Sequence, residues 1–303
     1  MQNGIWAEIL SDIEAIAKDE DLFREKNFIT RSTALDEIEF HVIDRLQSLS
    51  ENADSSGHFN DLKQYAENVR GQLEEVNKQM HQKLRSQISI GRYRGKMLMN
   101  LMNEYFNQSL DSIHQLHETG YDHLDLFLNG LLTYRVPPAE TKKREPGMVY
   151  YQKTPARIIF ELIKKASFQP DDVFYDLGSG LGQVTMLVNL FASVISKGVE
   201  FEPAYCSYAK TTAADLNLNH VEFINADARH ADYSSGTVFF MYTPFEGEIL
   251  KDVLHCLYDE SKKRKIRLFT YGSCSGEIAG QQWVEQVNEI KNQLTELAVF
   301  VSI

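Results

Sequence analysis

Cysteine is scarce in this chain. There are only three, Cys206, Cys256 and Cys274, far apart and with no CxxC pair. That excludes a disulfide framework and a cysteine-built zinc site, and it predicts a reducing compartment. The first residues, MQNGIWAEILSDIEAIAKDED, have no basic stretch followed by an apolar core, so they are not a signal peptide. Long apolar runs are missing too. The richest, Met186 to Ile195, is too short and too interrupted to span a bilayer. A cytoplasmic protein without a membrane partner is expected. Basic excess is absent as well: the net charge is −12. Residues 1 to 135 carry 14 Lys+Arg against 22 Asp+Glu, and residues 136 to 303 carry 17 against 21. Neither part suits a substrate held by long phosphate tracks, although a local basic patch stays open.

Proline is rare too, and three of the seven prolines fall between residues 133 and 149, in TYRVPPAETKKREPGMV. Pro137-Pro138 and Pro146-Gly147 forbid helix there and mark a linker, taken as 136–149. Lys142, Lys143 and Arg144 form a small basic cluster inside it, read as solvated or as a contact for an acidic substrate.

Before the linker the pattern is helix after helix, a domain over 1–135. Ile5, Trp6, Ile9, Leu10, Ile13 and Ile16 recur at helical spacing. Ser32 or Thr33 is read as the cap of a second helix, with a stripe from Leu35 to Leu49. After the polar break ENADSSGH, residues 59 to 90 predict a long, mostly polar helix. Its narrow seam runs through Leu62, Val69, Leu73, Val76, Met80 and Leu84, as in a hairpin or coiled-coil arm. Gly91 and Gly95 bracket a basic knot. Further helices are expected from Lys96 to about Leu116 and from Tyr121 to Leu132. The simplest reading is a bundle burying these stripes. A substrate cap or a homodimerising arm are the sharper alternatives. His114 and His117 lie one helical turn apart but lack a third ligand, so no metal is expected.

The chemistry is concentrated in Val173-Phe174-Tyr175-Asp176-Leu177-Gly178-Ser179-Gly180-Leu181-Gly182-Gln183-Val184. An apolar β-prone run meets an acid, glycines follow at alternate positions, and a helix-length apolar run succeeds them. Glycines so spaced let the backbone turn sharply and a ligand approach the main chain. The helix start beyond offers free N–H groups. A dinucleotide site would need its third glycine one residue later, and a phosphate P-loop would need a lysine.

What remains, D-L-G-S-G-x-G, resembles the first motif of the class I S-adenosylmethionine-dependent methyltransferases. The resemblance narrows upstream. Tyr150 to Thr154, then Pro155 and a helix with apolar Ile158, Ile159, Leu162 and Ile163, lead into the glycine motif. A tyrosine-bearing loop ending in Thr, with DLGSGxGQV behind it, is similar to the histone-lysine methyltransferases of the disruptor-of-telomeric-silencing type. The likeness covers roughly 148 to 245. It implies S-adenosylmethionine as cofactor. It implies that Gly178, Ser179, Gly180, Gly182 and Gln183 pack against the methionine part, with Asp176 near the amino group. Tyr151 and Thr154 would then fold over that end. The chain departs from the family where Tyr151-Gln152 replace a Gly-Glu pair and Tyr242-Thr243 replace an Asn-Asn pair.

Further acids follow at strand ends. Lys197 to Glu200 reads as the second strand, and a carboxylate there can accept both hydroxyls of a ribose. Glu200 aligns best, with Glu202 the alternative. Past the third strand, Val221 to Ile224, Asp227 is implied to meet the adenine amino group. The fourth strand, Thr237 to Tyr242, exits through Thr243-Pro244-Phe245. Substrate lies at the carboxyl ends of such strands, so Tyr242, Thr243 and Phe245 are expected to line the acceptor site. YTPF lacks the Asn with which amino-methylating enzymes of bases hold their target. A fifth strand, Ile266 to Tyr271, a helical or mixed tail and a last antiparallel strand, Leu297 to Ile303, complete the pattern. The domain is expected to end with that strand.

The expected fold is α/β: a Rossmann-like seven-stranded methyltransferase sheet over 150–303, preceded by an all-α domain. The expected activity is methyl transfer, most simply to a protein side chain (lysine, by resemblance), with RNA, a small molecule or a non-enzymatic scaffold role as alternatives. No residue is assigned as a catalytic acid or base, because methyl transfer mainly needs alignment and the exclusion of water.

Overall fold

The computed structural model describes residues 2–50, 56–106 and 121–303. His114 and His117 lie outside them. Contacts divide the chain into two compact units. One comprises Met1–Arg85 with Leu101–Leu110, the other Ser86–Asn100 with Asp111–Ile303.

The first unit is helical. α1 spans Gln2–Lys18, and α2 (Phe28–Asp36) continues through a π-helical stretch, Glu37–Ile43, into α3 (Asp44–Ser50). α2 begins at Phe28 after Asn27, so neither Ser32 nor Thr33 caps it. Both lie within the helix, and the Thr33 hydroxyl donates back to the Ile29 carbonyl. Phe28 is buried and its apolar contact, rather than a hydroxyl, draws the helix start back. α4 (Ser56–Ser89) is the long helix of the seam. Its Ala66, Val69 and Leu73 pack with Ile9, Ile13, Ile38 and Val42 in one core. This part of the seam is therefore spent inside the bundle. Arg31 is fully buried and donates to the Leu22 and Arg24 carbonyls and to Asn77. α5 runs over Gly95–Phe106.

The second unit is built on a seven-stranded sheet in the order β3-β2-β1-β4-β5-β7-β6. β1 is Val173–Leu177, β2 Ile195–Glu200, β3 Val221–Asn225, β4 Val238–Tyr242 and β5 Arg267–Tyr271. These five are parallel. Near-continuous apolar strands such as VFFMY suit a sheet buried on both faces. β7 (Ala298–Ser302) is antiparallel, as expected, but lies between β5 and β6 (Val284–Gln286). The tail is mixed, as expected, with a short helix followed by a short edge strand. The helices between strands are α8 (Gln183–Ala192), α9 (Pro203–Asp215), α10 (Gly247–Ser261) and α11 (Cys274–Ala279).

The sheet unit also takes in α6 (His123–Leu132) and α7 (Ala156–Ala166), so contacts divide the chain ahead of the proline-marked boundary at 135. The physical reason is Asp125. It closes a capping box with Asp122 at the start of α6, and its other oxygen accepts the Ala156 N–H at 2.8 Å. One buried carboxylate ties both helix starts together. α7 accordingly starts at Ala156, after Pro155, and Thr154 makes no cap bond.

Strand order reverses between β2 and β4 on either side of β1. Such a switch point leaves a crevice at the carboxyl ends of the strands. Register places Asp176 and Leu177 beside Gly198 and Val199 on one side and Phe240 and Met241 on the other, while Tyr242 pairs with Tyr271.

Candidate active site

At this edge lies a cavity of about 380 Å³. Its lining includes Tyr151, Thr154, Asp176, Gly178, Ser179, Gln183, Glu200, Asp227, Tyr242, Thr243 and Phe245, which brings together most residues singled out in the sequence. Gly180 and Gly182 do not line it. Gly182 instead caps α8 in a left-handed conformation, against the Phe223 ring. Gly180 lies under Tyr151. A Cβ at Gly180 would lie 2.2 Å from the Tyr151 ring, so the tyrosine can cover the turn only because the position has no side chain.

Acceptor capacity decides what each acid can still do. A carboxylate has about four lone-pair sites. Glu202 uses all of them: Oε1 accepts Ala204 N–H at 2.9 Å and the Thr141 hydroxyl at 2.6 Å, and Oε2 accepts the Thr141 and Lys142 N–H groups at 3.0 and 2.8 Å. Burial works to raise its pKa, yet these bonds hold it down to about 2. Glu202 is thus an anchor for the linker, which removes it as the alternative ribose acid. Glu200 uses only half its capacity. Oε2 accepts Gly180 N–H at 2.7 Å and Oε1 accepts Glu202 N–H at 2.8 Å, leaving one site on each oxygen. Two adjacent hydroxyls need that pattern. Burial raises the Glu200 pKa.

Asp227 is similarly part-spent. Oδ1 accepts the Arg229 N–H and Nε at 2.9 and 3.0 Å, and Oδ2 accepts Arg229 Nη2 at 2.6 Å. One site remains on Oδ2, enough for one N–H donor. Arg229 also holds Glu145 of the linker at 2.7 Å.

Two buried polar atoms on the cavity wall have no partner among the described residues: Ser179 Oγ and Gln183 Oε1. Their side chains are only 7% and 6% exposed. Such orphans cost about 1–3 kcal/mol each unless a ligand satisfies them. A polar, hydroxyl-bearing and amine-bearing ligand fits this wall.

Asp176 is almost fully buried and accepts the Thr185 hydroxyl at 2.9 Å. Burial, with the charge of Glu200, pushes its pKa up to about 7 despite the Thr185 bond. Asp125 is likewise pushed up to about 6 by burial. The unfolded chain ionises both near pH 4. Between these values the fold holds protons that the unfolded chain has lost, so stability falls as pH rises through the window. For Asp176 the difference is on the order of 4 kcal/mol. Glu202 titrates below this range and does not offset it. The thermal midpoint of ligand-free protein is therefore expected to drop between pH 5 and pH 8, and Asp176→Asn is expected to flatten most of that slope. A midpoint that rises with pH in both proteins would disprove the account.

The fourth-strand exit differs from expectation in detail. Thr243 has φ of +36°, a strained conformation for a β-branched residue. Its hydroxyl donates to the Tyr271 carbonyl and accepts Cys274 N–H, so it is committed to the β5 exit although the residue borders the cavity. Phe245 is buried and bridged to Met148. Tyr242 stays half-buried, its ring 4.8 Å from that of Tyr271.

The linker, whose basic cluster was read as solvated or as a contact for an acidic substrate, forms part of the cavity wall. Glu140, Lys142, Arg144, Met148 and Val149 all line the cavity. Lys142 lies 3.4 Å over the Phe201 ring, and Val149 N–H donates to the Pro244 carbonyl at 3.1 Å. Within the segment only the basic cluster hints at this. The signal is remote, in a Glu202 that precedes Pro203 and has both helix-capping and linker-capping work to do. Tyr205 also lines the cavity and meets Tyr151, with ring centroids 5.4 Å apart.

Residues 146–266 match the family model described as "Histone methylation protein DOT1". That span takes in the tyrosine loop, the glycine turn, both part-spent acids and the fourth-strand exit. The sheet unit is a class I S-adenosylmethionine-dependent methyltransferase resembling DOT1. Solved structures similar to this methyltransferase include an RNA methyltransferase from Salinibacter ruber in complex with S-adenosyl-L-homocysteine. It is 22% identical, covers 50% of this chain and 92% of its own, and has a TM-score of 0.41. A putative methyltransferase from Escherichia coli is 12% identical over 50% of this chain and 88% of its own, with a TM-score of 0.42. The METTL16 methyltransferase domain is 13% identical over 49% and 84%, with a TM-score of 0.39. No curated protein matches the chain. No helix among the described residues is long and apolar enough to cross a membrane.

Proposed function

We propose that this methyltransferase modifies a lysine side chain of a protein. The observation that carries the reading is the extent of the DOT1 match, which takes in the cavity lining from Met148 to Ile249 and leaves outside it Glu140, Lys142 and Arg144 of the linker and Gly272, Ser273 and Leu294. The three free cysteines support a cytoplasmic placement.

S-adenosylmethionine supplies an electrophilic methyl group on a sulfonium. The residues of this chain do the rest by holding and aligning. Glu200 offers its two remaining acceptor sites to the ribose hydroxyls, and Asp227 its remaining site to the adenine amino group. Ser179 and Gln183 offer their unpartnered atoms, and Asp176 an acidic group, toward the methionine end. Tyr151 covers the glycine turn. The linker, pinned by Glu202 and Arg229, closes the cavity against water, which strengthens every polar contact inside. Tyr242 and the Thr243-Pro244 turn present the acceptor side. An in-line displacement needs this alignment more than a dedicated base.

The test is transfer of labelled methyl from S-adenosylmethionine into protein, RNA and metabolite fractions of a lysate. Label is expected in protein and, after hydrolysis, on methyl-lysine. Label confined to RNA or metabolites would overturn the acceptor assignment and leave the methyltransferase intact.

A further inference from the structure

Six carboxylates line the cavity: Glu140, Asp176, Glu200, Glu202, Asp227 and Glu246. Among the described lining residues only two are cations, Lys142 and Arg144, and both come from the linker. The cofactor carries a sulfonium, an ammonium and a carboxylate. An acid-rich wall suits the first two and repels the third. A carboxylate taken out of water beside so many acids needs a cation.

Both cations precede the family match, which begins at residue 146. In their stretch every second residue, Glu140, Lys142 and Arg144, faces the cavity, while Thr141 and Glu145 carry the bonds to Glu202 and Arg229. The Lys142 ammonium lies over the ring of Phe201, directly after Glu200, and so belongs to the ribose end. Arg144 belongs to the other end. Its guanidinium lies 3.2 Å over the Tyr150 ring. Tyr150 stands between two residues tied to the glycine turn. On one side Val149 N–H donates to the carbonyl of Pro244, which packs against Gly178. On the other, Tyr151 rests on Gly180.

The Arg144 side chain is 25% exposed, which leaves it within reach of a ligand, yet it makes no hydrogen bond among the described residues. Its Nη2 faces one carboxylate, Glu140, at 3.2 Å, and that acid also accepts the Tyr205 hydroxyl at 3.2 Å. On the other arm, Nη1 joins Ser179 Oγ and Gln183 Oε1 as a polar atom of the wall without a partner among the described residues. A planar guanidinium braced on an aromatic ring, with one arm unused, is suited to a carboxylate.

We propose that Arg144 binds the α-carboxylate of S-adenosylmethionine, so that the linker selects the amino-acid form of the cofactor. The inference rests on the placement of the methionine end over the glycine turn given above, and not on the lysine assignment. It also gives the two pins of the linker a use. Glu202 and Arg229 hold the segment on either side of Arg144, so the guanidinium is positioned before the ligand arrives.

Titration calorimetry on the full chain compares S-adenosylmethionine with its decarboxylated form, which keeps the adenosine, the sulfonium and the amine. The wild-type chain is expected to bind S-adenosylmethionine at least about tenfold more tightly than the decarboxylated form. Arg144→Gln is expected to weaken S-adenosylmethionine about 10- to 100-fold, the range for a hydrogen bond to a charged group, and the decarboxylated form less than about threefold. Arg144→Met keeps the apolar stem against Tyr150 and should behave alike, which guards against a packing defect. Lys142→Gln should shift both ligands by the same factor. Equal losses for the two ligands in both Arg144 variants, or a preference for the carboxylate that follows Lys142 instead, would overturn the assignment and leave the cofactor reading standing. A wild-type chain that binds neither ligand would overturn the cofactor placement as well.

Discussion

Glu200→Ala is expected to weaken S-adenosylmethionine binding by at least about 100-fold, read by titration calorimetry. The size follows from acceptor counting. Two sites of the carboxylate remain for the ligand, and hydrogen bonds to a charged group are worth about 1.5–3 kcal/mol each. Losing both removes about 3–6 kcal/mol, or two to four powers of ten in affinity. There is a second loss. The same carboxylate fixes the Gly180 and Glu202 N–H groups, so the glycine turn and the start of the segment leading to α9 are released together. Glu200→Gln separates the two contributions, because an amide oxygen keeps one acceptor while its nitrogen cannot accept. Its loss should be intermediate. Glu202→Ala is the control at the neighbouring acid. Its four bonds go to the protein, so it should free the linker and lower affinity less than Glu200→Ala does. Equal losses at the two acids would show that the ribose assignment of Glu200 is wrong.

The contrast between these two acids also shows how far a sequence of this kind can be read. The placement of Glu200 and Asp227 at the cavity was legible because each ends or follows a β-strand, and in parallel sheets those ends share one edge. The sheet itself was legible for the same reason: VFYDL, VFFMY and RLFTY are buried on both faces, so their patterns are dense and local. The linker was legible only as a basic cluster, solvated or in contact with substrate. Its role depends on Glu202, some 60 residues away, and on an Arg229 that splits its guanidinium between Asp227 and Glu145. Local composition carries no trace of such pairings. Thr154 illustrates the same limit at short range. A Thr-Pro pair reads as a cap and a first turn, but Asp125 from another helix takes the Ala156 N–H and the start shifts by one residue. Prolines at 137, 138 and 146 correctly forbade helix, yet they did not mark where contacts divide the chain, because α6 is tied to α7 by that same carboxylate.

Gly180→Ala is expected to lower cofactor affinity by about 30-fold or more, although Gly180 does not line the cavity. The φ of +53° at this position is itself reachable by alanine at a cost of about 1 kcal/mol. The larger effect is steric. The added methyl group would overlap the Tyr151 ring, which is half-buried and packed against Tyr205, so it cannot move outward freely. Either the tyrosine is displaced, opening the cavity to water, or the turn is displaced, drawing the Gly180 N–H away from Glu200. Overpacking of this kind typically costs 1–3 kcal/mol. A double-mutant cycle with Tyr151→Ala distinguishes the steric cause from the backbone cause. Removing the ring alone should weaken binding by exposing the turn, and adding Gly180→Ala on that background should then cost little more than the backbone strain. The coupling between the two positions should exceed about 1 kcal/mol, as for residues in direct contact. Additive losses would mean that Tyr151 does not rest on the turn in solution, and the description of the tyrosine as a cover over the methionine end would have to be withdrawn.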